Sequence, residues 1–134
     1  MKNVSALTAP TLDDFERIAR EEFERFPREF RETCGDVVFR VQDYADDEIL
    51  DEMQAESALE LTGLFVGQEL GAQEGSPMPR EPSMIFLYRI PILVEWAESD
   101  IALGQLISHV MVHEIGHHFG LSDDDMDRIE NESE

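Results

Sequence analysis

The stretch His113-Glu114-Ile115-Gly116-His117-His118-Phe119-Gly120-Leu121-Ser122-Asp123 sets imidazoles and carboxylates at fixed spacing around a glycine stop. In an α-helix each residue advances by about 100°, so positions i and i+4 share a face one turn apart. His113 and His117 form such a pair. Their rings can converge on one tetrahedral ion, while Glu114 leans over the open coordination position and handles the proton of a bound water. Gly120 fits the left-handed position just past a helix end, where the absence of a Cβ removes the steric cost. The chain then turns back and brings Asp123 within reach as the first candidate for a third ligand. Asp124, or a group from another part of the chain, stays open for that role, because Asp123, Asp124 and Asp125 equally suit the first turn of a following helix.

The competing reading is that two histidines on a buried helix simply pack and hydrogen-bond. Three fixed letters at helical spacing arise by chance in chains of this composition only on the order of once in a hundred, which favours the metal reading. Burial adds to it. Two imidazoles and a carboxylate on a core helix are unfavourable without partners, and one divalent cation satisfies all three. His109 lies on the same stripe, but His109 and His117 are about 12 Å apart along the axis and cannot share an ion with His113. His109 therefore reads as a core residue in preference to one behind the ligands or at a substrate rim. His118 points about 100° away from His117 and reads as structural or exposed.

Around this stretch the pattern predicts both helices and strands. Thr11 is the expected N-cap of an amphipathic helix from Leu12 to Phe26, closed by Pro27, with Asp13 and Asp14 in its first turn. Arg17, Arg20, Arg25, Arg28 and Arg31 lie in or just after it among glutamates, and read as an ion-paired solvated face, not a binding surface. Val37 to Val41 is β-branched and aromatic, hence a strand. Residues 45–54 suggest one or two helical turns, and Glu60 to Gly67 a second strand. The glycines and prolines of 67–82 make a long loop, and Met84 to Ile90 is the clearest strand. Pro91 suits the first turn of a short helix to Ala97. Ser99 or Asp100 is the expected cap of a long, largely buried helix from Ile101 to Phe119, and Ser122 caps a last short helix through Met126 and Ile129.

At 134 residues the chain is expected to form one domain, 1–134, with a real core. A formal charge of −21 argues against nucleic acid and anionic membrane as partners and leaves cationic or neutral ones, with a monomer as the default. Cys34 is the single cysteine, so neither an intrachain disulfide nor a cysteine-based zinc site is available. No apolar run has signal-peptide or membrane-spanning length, which makes the cytoplasm the expected location.

The ensemble "YRIPIL…HEIGHHFGLSDDDM" resembles the small bacterial zincin-like, possible neutral zinc metallopeptidase family. Its extended motif is similar to the metzincin-like form in which aspartate replaces the last histidine. The resemblance implies an α+β minimal zincin fold, a small mixed sheet of about three to four strands on an N-terminal helix and a long central helix. It implies Zn2+ held by His113, His117 and Asp123, with Glu114 as general base in hydrolysis of a peptide or protein substrate. Tyr88 or Arg89, at the end of the third strand, is a candidate for one further contact to substrate or transition state, although a structural role is preferred for both. The same strand is a candidate sheet edge for an extended peptide. The alternative function is a zinc-stabilised, non-catalytic interaction or regulatory module.

Overall fold

Thr11 opens the first helix through a reciprocal cap. Its hydroxyl accepts the Asp14 N–H at 3.1 Å and its own N–H donates to the Asp14 carboxylate at 2.9 Å. That backbone N–H is the main reason the Asp14 carboxyl sits below its ordinary pKa. The resulting helix, α1 (Leu12–Glu24), is the first α-helix of a computed structural model that describes residues 3–67 and 82–132. It is followed by α2 (Arg28–Cys34), β1 (Val37–Gln42), α3 (Asp47–Glu52), β2 (Gly63–Val66), β3 (Ser83–Tyr88), α4 (Arg89–Ala97), α5 (Leu103–Phe119) and α6 (Asp123–Asn131).

The fold is α+β. Its three strands form a mixed sheet of order β1-β3-β2, with β1 parallel to β3 and β2 antiparallel to it. α1 packs against β1 and α5, and α5 packs against β2. One apolar cluster joins these layers, with Phe15 and Ala19 from α1, Phe39 from β1, Phe65 from β2, Ile85 and Leu87 from β3, and Ile107, Met111 and Ile115 from α5. Burial in β3 falls on Ser83, Ile85 and Leu87, the two-residue period of a strand with one face on the core.

Four expectations change. The third strand stops at Tyr88, and the helix expected from Pro91 begins at Arg89; Pro91 lies in its first turn, where a missing N–H loses no helical hydrogen bond. β3 is paired on both sides, at Val37–Gln42 and at Gly63–Val66, so it cannot be the edge that receives a peptide. The long helix starts at Leu103 with Ala102 as N-cap, because the Ser99 hydroxyl donates back to the Trp96 carbonyl and the Trp96 indole N–H takes the Ile101 carbonyl. Residues 28–34, given no element from sequence, form α2, which buries Phe30 and Cys34. The long loop expected at 67–82 falls mostly on residues 68–81, outside the described ones.

The basic residues of the first helices are ion-paired as expected. Arg17, Arg20, Arg25 and Arg28 meet Asp14, Glu16, Glu22 and Glu32 three or four residues away, and Arg31 donates to the Phe26 carbonyl.

Candidate metal centre

One side of α5 is apolar and closed, with Leu106, Ile107, Val110, Met111, Val112 and Ile115 buried. The other side carries His109, His113 and His117 at successive turns. The His109 and His113 rings lie 4.0 Å apart, and His113 and His117 are 5.9 Å apart at 85°. α5 ends at Gly120, whose φ of 71° is the left-handed value expected for it, and the Leu121 N–H reaches back to the Gly116 carbonyl at 2.8 Å. The Ser122 hydroxyl then accepts the Asp125 N–H and starts α6. The new helix folds back along α5. Met126 occupies the space a Cβ on Gly116 would need, so this glycine sets how closely the two helices approach.

The return of α6 places Asp123 near the C-terminal end of α5 and Glu130 beside the middle of the histidine stripe. His113 Nε2 is 3.8 Å from Glu130 Oε1, and His109 Nδ1 is 2.8 Å from the same oxygen. Even at that range the alignment is not that of a hydrogen bond, and both His113 Nε2 and Glu130 Oε1 are buried without a hydrogen-bond partner. Among the described residues, the convergent group of ligand atoms is His109, His113 and Glu130, all within 4.8 Å of one another. His117 and Asp123 lie outside this group. The His117 side chain is 65% exposed, and Asp123, also exposed, is near enough for its charge to act on His113.

Burial lowers the His113 pKa most, the neighbouring His109 and His117 lower it further, and Glu130 and Asp123 oppose them. The net shift is downward. It favours the neutral imidazole, the form that binds a metal.

Glu114 points to the sheet side. Burial raises its carboxyl pKa, opposed by His117, whose Nδ1 lies 3.9 Å from the carboxylate. Gly63 of β2 makes this neighbourhood possible. A Cβ there would lie 2.8 Å from Val110 Cγ1, 3.0 Å from the Phe86 carbonyl oxygen and 3.6 Å from Glu114 Cγ. Tyr88 is buried at the end of β3, and burial, with the charges of Asp46 and Glu114 adding, pushes its hydroxyl up to about 12. Arg89 is engaged elsewhere. Its guanidinium pairs with Asp43 at 2.7 Å and donates to the Pro10 carbonyl at 2.9 Å, tying the N-terminal lead-in to the start of α4.

His118 is exposed and packs edge-on against Phe65 at 5.0 Å, as a structural or surface residue would. His109 departs from the core position expected for it. Its side chain is 47% exposed and borders a cavity of about 640 Å³. Glu130 and Gly63 were not singled out in the sequence. Glu130 follows Asp123 by two helical turns, so once α6 is folded back the 3.6-residue period points it at the same stripe.

The zincin-like metallopeptidase family model matches residues 34–133, which take in the whole sheet and both helices of the site. The chain belongs to that family. No curated protein matches it. A zincin-like chain is expected to hold zinc, and the residues here fit that ion: a neutral-favoured imidazole with an unpartnered buried nitrogen, further histidines one turn away on either side, and carboxylates on the returning helix.

Proposed function

We propose that this chain is a zinc-dependent peptidase in which His113, His117 and Asp123 hold the metal and Glu114 is the general base. The observation that carries this reading is Glu114 itself. It sits beside His117, partly withdrawn from water, with its proton affinity raised by burial. A carboxylate with raised proton affinity is better suited to take a proton from water and pass it on, whereas a purely structural metal site gains nothing from it. Bound zinc would supply Lewis acidity toward water and the scissile carbonyl.

The chain's own residues do the rest. Glu114 accepts the proton of the attacking water and delivers it to the leaving amine. Tyr88, kept protonated and almost wholly buried at the end of β3, serves the packing beside Glu114. Arg89, held by Asp43 and Pro10, likewise serves the fold. Among the described residues β2 is an edge strand, and an extended peptide would pair along it, beside the Glu114 that Gly63 lets lie against the strand. The chain's charge of −21 favours cationic or neutral peptides.

The test is digestion of unstructured peptides by wild type and by Glu114→Gln, each loaded with zinc. Wild type is expected to cleave and Glu114→Gln to keep its zinc while losing at least about 100-fold in rate, the usual scale for a general base. Cleavage retained by Glu114→Gln removes Glu114 from the mechanism. Zinc without cleavage in both proteins leaves the non-catalytic module.

A further inference from the structure

The helical rise that keeps His109 and His117 from sharing one ion permits two ion positions on the stripe, each with two adjacent histidines and one carboxylate. The motif position uses His113, His117 and Asp123. The other lies one turn toward the start of α5. We propose that His109, His113 and Glu130 form a second position for a divalent transition-metal cation, alternative to the motif position because both need His113.

Three observations carry this. The ligand atoms of these three residues already converge within 4.8 Å, and the two contacts to Glu130 Oε1 are 2.8 and 3.8 Å. Two ligands at about 2.0 to 2.1 Å from one tetrahedral zinc stand about 3.4 Å apart, so a pair at the full 4.8 Å closes with a shift of about 1.4 Å, within reach of side-chain rotation. Next, His113 Nε2 and Glu130 Oε1 are buried without a hydrogen-bond partner. An ion pair between His109 and Glu130 would satisfy only the carboxylate and leave the His113 nitrogen bare, whereas one cation satisfies both. Last, the position opens to solvent through the cavity that His109 borders, whose wall carries Glu22, ion-paired to Arg25, together with Glu95, so that carboxylates outnumber the one guanidinium and the net lining favours cations. Two imidazoles and a carboxylate suit zinc and the metals near it in affinity.

The inference depends on the peptidase reading only in making the two positions exclusive; the second position stands whether or not peptide is cleaved. The chelator-stripped full-length chain is titrated with zinc by calorimetry, with elemental analysis of the gel-filtered product and circular dichroism to verify folding. Wild type, His117→Gln/Asp123→Asn and His109→Gln/Glu130→Gln are each expected to bind about one zinc, and the variant with all four changes less than about a tenth of one. His117→Gln alone, whose ring is exposed, is the second variant should the double change impair folding; it too keeps its zinc and loses it on addition of His109→Gln/Glu130→Gln. The proposal is overturned if folded His117→Gln/Asp123→Asn binds no zinc while His109→Gln/Glu130→Gln binds it. If His109→Gln/Glu130→Gln is the one without zinc, the motif position fails and the second position stands.

Discussion

Along one face of α5, Ile107, Met111 and Ile115 are wholly removed from water and locked into the cluster that joins α1, the sheet and α6. Along the other, His109, His113 and His117 range from about a quarter to two-thirds exposed, and among the described residues the buried His113 Nε2 and Glu130 Oε1 have no hydrogen-bond partner. The two faces share one backbone and one set of helical hydrogen bonds but respond to different things. The apolar face stabilises the fold by burial alone, while the polar face carries groups whose desolvation is unfavourable until a cation arrives. The division means that the fold can be strong while the site is strained, and the two can be perturbed separately.

The largest effect belongs to the apolar face. Ile107→Ala, removing a fully buried side chain, is expected to lower unfolding free energy by about 2 to 5 kcal/mol in denaturant titration, equally with and without zinc. A loss much larger with zinc than without would mean the faces are coupled. Zinc removal is next. At free zinc about 100 times its dissociation constant, binding to the folded state adds about 2.7 kcal/mol, so chelator should lower the melting temperature of wild type and leave Ile107→Ala with the same additional decrement. Smaller again is Gly120→Ala, which places a Cβ on a left-handed residue and is expected to destabilise by about 1 to 2 kcal/mol through the α5–α6 turn.

The smallest effect has a definite pH signature. In the metal-free protein the folded Glu114 carboxyl titrates above its ordinary value of 4.5, so ionisation weakens the fold. Its favourable contribution is complete below 4.5 and is lost as pH rises through the folded pKa. Glu114→Gln cannot ionise, so in chelator it is expected to be the more stable protein at neutral pH, with the difference disappearing below pH 4.5. An advantage that grows on acidification would reverse the assigned shift.

How far the sequence reached follows the same divide. Local rules located the Thr11 and Ser122 caps, the Gly120 stop and the apolar period of α5, because each depends on residues within a turn or two of one another. The family resemblance carried by residues 84–126 led to the mixed α+β fold. What was missed depends on contacts distant in sequence. That β3 is central is decided by its pairing with both Val37–Gln42 and Gly63–Val66, which no strand pattern contains. Glu130 looked like one more acid in an acidic tail until α6 was folded back on α5, and His109 looked like core until the cavity beside it was visible. α2 was missed because Pro27 and its neighbouring charges obscure a helix of seven residues with only Phe30 and Cys34 buried.

Both ion positions depend on His113, whose buried Nε2 has no hydrogen-bond partner. Calorimetric titration of metal-free wild type and His113→Gln with zinc at neutral pH addresses this dependence directly. Wild type is expected to show one binding event of about one zinc per chain, and a folded His113→Gln to lose that event. Zinc binding by His113→Gln with the stoichiometry and affinity of wild type would contradict the dependence.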